Sequence, residues 1–196
     1  MGMKKKMEEG NPIPIPNIQP TLAVGPVGFF WEVDEGQANE DLLWGIWRSL
    51  YKRPVGSPQP FQKVFNVYVA EMHDAFSDGH PARDLEDYGG VDFFDADADG
   101  RFRLMVFDIL AFITRTPVPA TIYFVSGDVR FIPVLVRLKA SGYDVRVIAT
   151  SEAASSAFVA AGLVLFDWEK ATRGEGFFPL DLSPSRKRDW VSCFGV

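Results

Sequence analysis

The chain has 196 residues, 47% of them hydrophobic and 14% aromatic, enough for one domain with a buried core. Lysine and arginine number 20 against 26 acidic residues, a formal charge of −6, which argues against a broad surface for sliding along nucleic acid, because such binding scales with the number of basic contacts. Cys193 is the only cysteine, so a disulfide framework and a cysteine metal cluster are excluded.

No apolar run reaches the roughly 18 residues of a membrane span. Lys4, Lys5 and Lys6 lead straight into Glu8 and Glu9 with no apolar stretch of a signal peptide. The expectation is an intracellular protein that does not enter a membrane. Residues 1–21 are polar and carry Pro12, Pro14, Pro16 and Pro20, the composition of an extended, flexible tail. From Val24 to Val33 the run is apolar and of strand type. Asn39 then caps a helix, with Glu40 and Asp41 in its positive first turn and Leu42, Leu43, Ile46, Trp47, Leu50 and Tyr51 on one stripe. Lys52 and Arg53 close it, and Pro54 ends it.

A second strand follows at Val64 to Ala70, then a polar stretch with His73 and His80, whose spacing is not that of a zinc site. Val91 to Phe94 gives a short strand ahead of an acidic loop. In that loop Asp95, Asp97, Asp99 and Gly100 match the first half of a calcium loop, but the twelfth position is Val106 where a bidentate glutamate is required. A solvated acidic turn is expected. Phe102 to Thr114 is apolar nearly all round, which predicts a buried helix.

Beyond Pro117 and Pro119 comes a strand at Thr121 to Val125, then a helix over Arg130 to Ser141 with Pro133 in its first turn and Gly142 as terminator. Tyr143 to Ala149 is a strand, 151–162 a small-residue helix, and Leu163 to Phe166 a last short strand. Trp44, Trp168 and Trp190 are expected to pack in the core or at its rim rather than to stack bases. Arg186, Lys187 and Arg188 read as a solvated tail, with phosphate contact as the functional alternative. Strands alternating with helices imply a three-layer α/β sandwich around a mainly parallel sheet, with ligands beyond the carboxyl ends of the strands. The expected division is a tail at 1–21, one domain at 22–176 and a tail at 177–196.

Three carboxylates fall where such a sheet binds ligands. Glu32 lies at the end of the first strand, sharing a face with Asp34, while Glu35 points the other way. Asp128 follows Ser126 and Gly127, a pair small enough for a tight turn, at a strand-to-helix junction where it can cap the helix or hold a cation. Asp108 lies among apolar neighbours in LMVFDILAFI and so requires a partner: a metal, a backbone donor, or a base such as Arg103, Arg115 or Arg130.

These segments resemble a known family. VGFFWEVDEG resembles the opening strand of NYN domains, the PIN-like ribonuclease fold. FRLMVFDILAFI resembles their central helix, and TIYFVSGDVRFIPVLVRLKASGYDVRVIA their strand–helix–strand block. LVLFDWEKATRGEG is similar to a segment of the branch related to meiosis regulator and mRNA stability factor 1, also called limkain-b1-like. The resemblance implies an RNA-related function: a metal-dependent endoribonuclease using Mg²⁺ or Mn²⁺ on single-stranded RNA, with Glu32, Asp108 and Asp128 as catalytic and metal-binding acids. It also implies an impaired site. Glu32 and Glu35 stand where the family has Asp and Asn, Phe102 and Arg130 stand where it has Asp, and Asp99 is the acid nearest to the first of those losses. Glu35, Asp99 and Arg130 are thus the candidates for binding RNA or modulating the site. Activity is expected to be reduced or absent. The alternative is a non-catalytic module regulating gene expression through RNA or a protein partner.

Overall fold

In the computed structural model, residues 23, 25–33, 40–51, 63–69 and 92–180 are described. Six strands, β1 (Val27–Val33), β2 (Lys63–Val69), β3 (Asp92–Asp95), β4 (Thr121–Val125), β5 (Asp144–Ile148) and β6 (Val164–Leu165), pair in parallel in the order β3-β2-β1-β4-β5-β6. Helices α1 (Glu40–Tyr51), α2 (Ala98–Arg115), α3 (Ile132–Ala140), α4 (Glu152–Ala160) and α5 (Trp168–Thr172) cover its faces.

All seven residues of β1 are buried, as a strand enclosed between two helical layers requires. Phe29, Trp31 and Val33 alternate onto one face, where Ile46 of α1 and Ala171 of α5 complete a cluster with Tyr123, Val125 and Ile148. Phe30 turns to the other face and joins Tyr68, Phe124 and Val147 beneath Met105, Ile109 and Phe112 of α2, Leu135 and Leu138 of α3 and Phe158 of α4. The expected three-layer α/β sandwich is present, and its sheet is parallel throughout. Trp44 and Trp168 pack against the first cluster, as anticipated for rim aromatics. No described helix is long and apolar enough to cross a membrane.

Several local expectations change. The central helix begins at Ala98, inside the acidic loop, because Asp97 caps it by accepting the Gly100 backbone N–H at 2.6 Å. It is also not buried all round: Phe107 is 69% exposed and Leu110 47%, while Met105 and Ile109 are fully buried. Only one stripe of a helix can face one sheet, so the apolar residues beyond that stripe stay outside. Past β4, a single 3₁₀ turn at Val129–Phe131 precedes α3, and Gly142 ends the helical segment with a φ of 94°, in line with its expected role as terminator.

Residues 177–180, assigned to the tail from sequence, are packed. Phe177 is buried with its ring 4.1 Å from that of Tyr123, and Leu180 donates its backbone N–H to Leu165. The tail at 1–21, Glu35, His73, His80, Arg186–Arg188 and Trp190 lie outside the described residues.

Candidate functional site at the carboxyl edge of the sheet

Strand order reverses between β1 and β4, and in open parallel sheets the crevice at such a reversal, beyond the carboxyl ends, is where ligands bind. Glu32 ends β1 on the α2 side, and Ser126 directly follows β4. The Ser126 hydroxyl donates to Glu32 Oε2 at 2.5 Å, so the two strand ends are tied across the crevice. Ser126 Oγ in turn accepts the Asp128 backbone N–H at 2.8 Å. A Cβ on Gly127 would lie 2.6 Å from Thr150 Oγ1, which is why the turn between Ser126 and Asp128 needs a residue without one.

The other oxygen of Glu32 faces Arg101 from the first turns of α2, with Nε 3.4 Å from Oε1. Both side chains are 8% exposed, and Arg101 also donates to the Ala96 carbonyl at 3.2 Å. Burial demands this pairing, since an isolated ion in the interior costs several kcal/mol.

Asp128 is equally committed. Its Oδ1 accepts the Arg130 backbone N–H at 2.8 Å, the cap of the 3₁₀ turn. Its Oδ2 takes Arg130 Nε at 2.7 Å and Nη2 at 2.6 Å. Arg130 Nη1 reaches Asp99 Oδ1 at 2.8 Å, which links the β4–α3 junction to the start of α2. The Arg130 guanidinium holds the Asp99 carboxyl below the usual carboxylate range, and Asp128 and then Asp99 push Arg130 up.

Asp108 lies seven residues beyond Arg101 on α2, about 10 Å farther along the helix axis. Its Oδ2 accepts the Tyr68 hydroxyl at 2.8 Å and Asn66 Nδ2 at 3.2 Å. The partner required by its surroundings is therefore a pair of neutral donors from β2, not Arg103, Arg115, Arg130 or a backbone group. Burial above all, and Asp108 beside it, raise the Tyr68 phenol far above its ordinary pKa, which keeps the hydroxyl a donor.

The structure thus brings Asp99, Asp128 and Arg130 together, ties Glu32 to Ser126 and Arg101, and leaves Asp108 in a separate cluster. Among the described residues no group of three or more His, Cys, Asp or Glu side chains is placed to hold a metal ion. Glu32, Asp108 and Asp128, the acids expected to share one ion, are bonded to different side chains: Ser126 and Arg101, Asn66 and Tyr68, and Arg130. Tight octahedral oxygen ligation by Mg²⁺ needs carboxylate oxygens free to turn toward the ion. Here guanidinium groups stand against Glu32, Asp128 and Asp99, so the donor set does not fit a divalent cation in this arrangement.

Sequence reasoning missed Arg101, one of two bases, with Arg103, at the start of an apolar helix. It also missed Asn66 and Tyr68, polar groups inside an otherwise apolar strand. In the sequence Ser126 shows only as a turn residue.

A family model for the NYN domain matches residues 62–165, just over half of the chain, from β2 to β6. No curated protein matches the chain at a significant level. The matched segment contains Asp99, Asp108, Asp128 and Arg130, while Glu32 lies before it. A six-stranded parallel sheet with helices on both faces is the architecture of a PIN-like domain. With more than half of its length matched and that sheet in place, the chain belongs to the NYN domain family.

Proposed function

We propose that this NYN domain is a nuclease-descended module that engages single-stranded RNA at the carboxyl edge of its sheet, with metal-dependent cleavage reduced or absent. NYN domains are ribonuclease-like, and their nucleases work with divalent metal ions, which supports a role with RNA. One observation carries the rest: Arg130 spans Asp128 and Asp99 at 2.6–2.8 Å, so a fixed positive charge stands between the acids that would otherwise attract a cation. Glu32 is neutralised in the same way by Arg101. A carboxylate that shares its oxygens with a guanidinium is a poor ligand for a hard cation, and the water activation that a bound ion supplies is weakened with it. Kinship with the branch related to meiosis regulator and mRNA stability factor 1 is part of the proposal, supported by Trp168, Gly174 and Glu175 in the last helix and turn. Gene regulation by binding is the role that fits such a module.

The test is cleavage of end-labelled single-stranded RNA in Mn²⁺ by the wild-type chain and by Asp128→Asn. The expected result is binding by both and no cleavage by wild type above the variant. Wild-type cleavage that disappears in Asp128→Asn would overturn the reading.

A further inference from the structure

Two positions at which the family resemblance leads one to expect carboxylates hold Phe102 and Arg130, and these residues touch. The guanidinium carbon of Arg130 lies 4.6 Å from the centroid of the Phe102 ring. That ring rests 4.7 Å from Phe131, which lies 4.7 Å from Phe124 of β4. A pile of aromatic rings therefore rises from the core to the surface and ends in a flat cation.

Three of the five N–H donors of that cation are occupied. Nε and Nη2 bond to Asp128, and Nη1 to Asp99. The guanidinium lies over the Phe102 ring, and the side chain is nonetheless 48% exposed. Bonds to two carboxylates and contact with a ring restrict how far the guanidinium turns, so it presents a preferred plane.

We propose that the outer face of Arg130 is a stacking platform for one unpaired nucleobase. The inference rests on the RNA-related reading above and names how RNA is held. Phosphate fits less well: bidentate recognition uses paired N–H groups, and three of the five on Arg130, the Nε/Nη2 pair among them, already point at carboxylates. An uncharged base requires only a flat, polarisable or cationic surface, and guanidinium planes serve this purpose in single-stranded recognition.

Fluorescence anisotropy tests this with the full chain, using a short single-stranded oligoribonucleotide and an abasic strand of equal length. Wild type is expected to bind the base-bearing strand at least about tenfold more tightly than the abasic one. Both Arg130→Ala and Arg130→Lys should lose that preference, because lysine keeps the charge and not the plane. A preference in Arg130→Lys equal to that of wild type overturns the platform and leaves the RNA reading intact. Equal wild-type affinity for the two strands does the same. Wild type that binds neither strand overturns both, as does Arg130-dependent binding of an aromatic peptide in place of RNA.

Discussion

Replacing Glu32 by glutamine leaves the guanidinium of the buried Arg101 without the charge that faces it. Breaking a buried pair from one side costs about 3–5 kcal/mol, since the remaining ion stays desolvated. Two features place this pair at or below the lower end. The N···O distance of 3.4 Å is long, and Arg101 keeps its bond to the Ala96 carbonyl. Glutamine can also still accept from Ser126. The expected loss is about 2–3 kcal/mol, read by urea denaturation, or about 5–10 °C in melting temperature for a chain of this size. Arg101→Met should cost a comparable amount by stranding Glu32. The double variant should fall short of the sum by roughly 1–2 kcal/mol, because the second change removes the unpaired partner left by the first. Single variants within about 0.5 kcal/mol of wild type, adding without coupling, would refute the claim that this pair is a buried, mutually dependent unit.

The orientation of α2 predicts a contrast between neighbouring apolar residues. Phe107→Ser, at a 69% exposed position, should change stability by less than about 0.5 kcal/mol, while Ile109→Ala, fully buried, should cost about 2–5 kcal/mol. A reversal would mean that α2 presents a different face to the sheet. Burial pushes the Tyr123 phenol up to about 12, outweighing the opposing pull of Arg146. Its folded-state pKa is above the unfolded value, so its contribution to stability is intact below about pH 10 and is lost as pH rises toward 12. Phenolate absorbance should therefore show Tyr123 and Tyr68 titrating late and together with unfolding; early titration of either in the native state would contradict the burial.

Much of the architecture is legible in the sequence because it depends on short-range pattern. Apolar runs at Val24–Val33 and Thr121–Val125, separated by helical stripes, are enough to imply a parallel sheet with two covered faces. Gly142 and Pro133 mark the ends of one helix for steric reasons that hold in any context. What is not legible depends on distant partners. Phe107 and Ile109 look alike in sequence, and only the docking of α2 separates the exposed residue from the buried one. The five residues of α5 are too few for periodicity to show, and they rest on packing near Trp31 through Trp168.

The candidate site divides along the same line. That Asp128 caps a turn follows from its neighbours, and the capture of its carboxylate by Arg130 was foreseeable two residues away. Pairing of Arg101 with Glu32 across 69 positions, and of Asp108 with Tyr68 across 40, required the fold. The resemblance supplied a list of acids, but whether acids share an ion is decided by where helix α2 sets its register against the sheet. In this chain that register sets Asp108 against Asn66 and Tyr68 of β2 and Arg101 against Glu32.

Calorimetric titration of Mn²⁺ into the wild-type chain, beside Arg130→Ala and Asp128→Asn, bears most directly on whether guanidinium ions occupy the cation positions of this site. Wild type and Asp128→Asn should show no saturable site, and Arg130→Ala should gain one as Asp99 and Asp128 are released. One Mn²⁺ bound stoichiometrically by wild type and lost in Asp128→Asn would contradict the account.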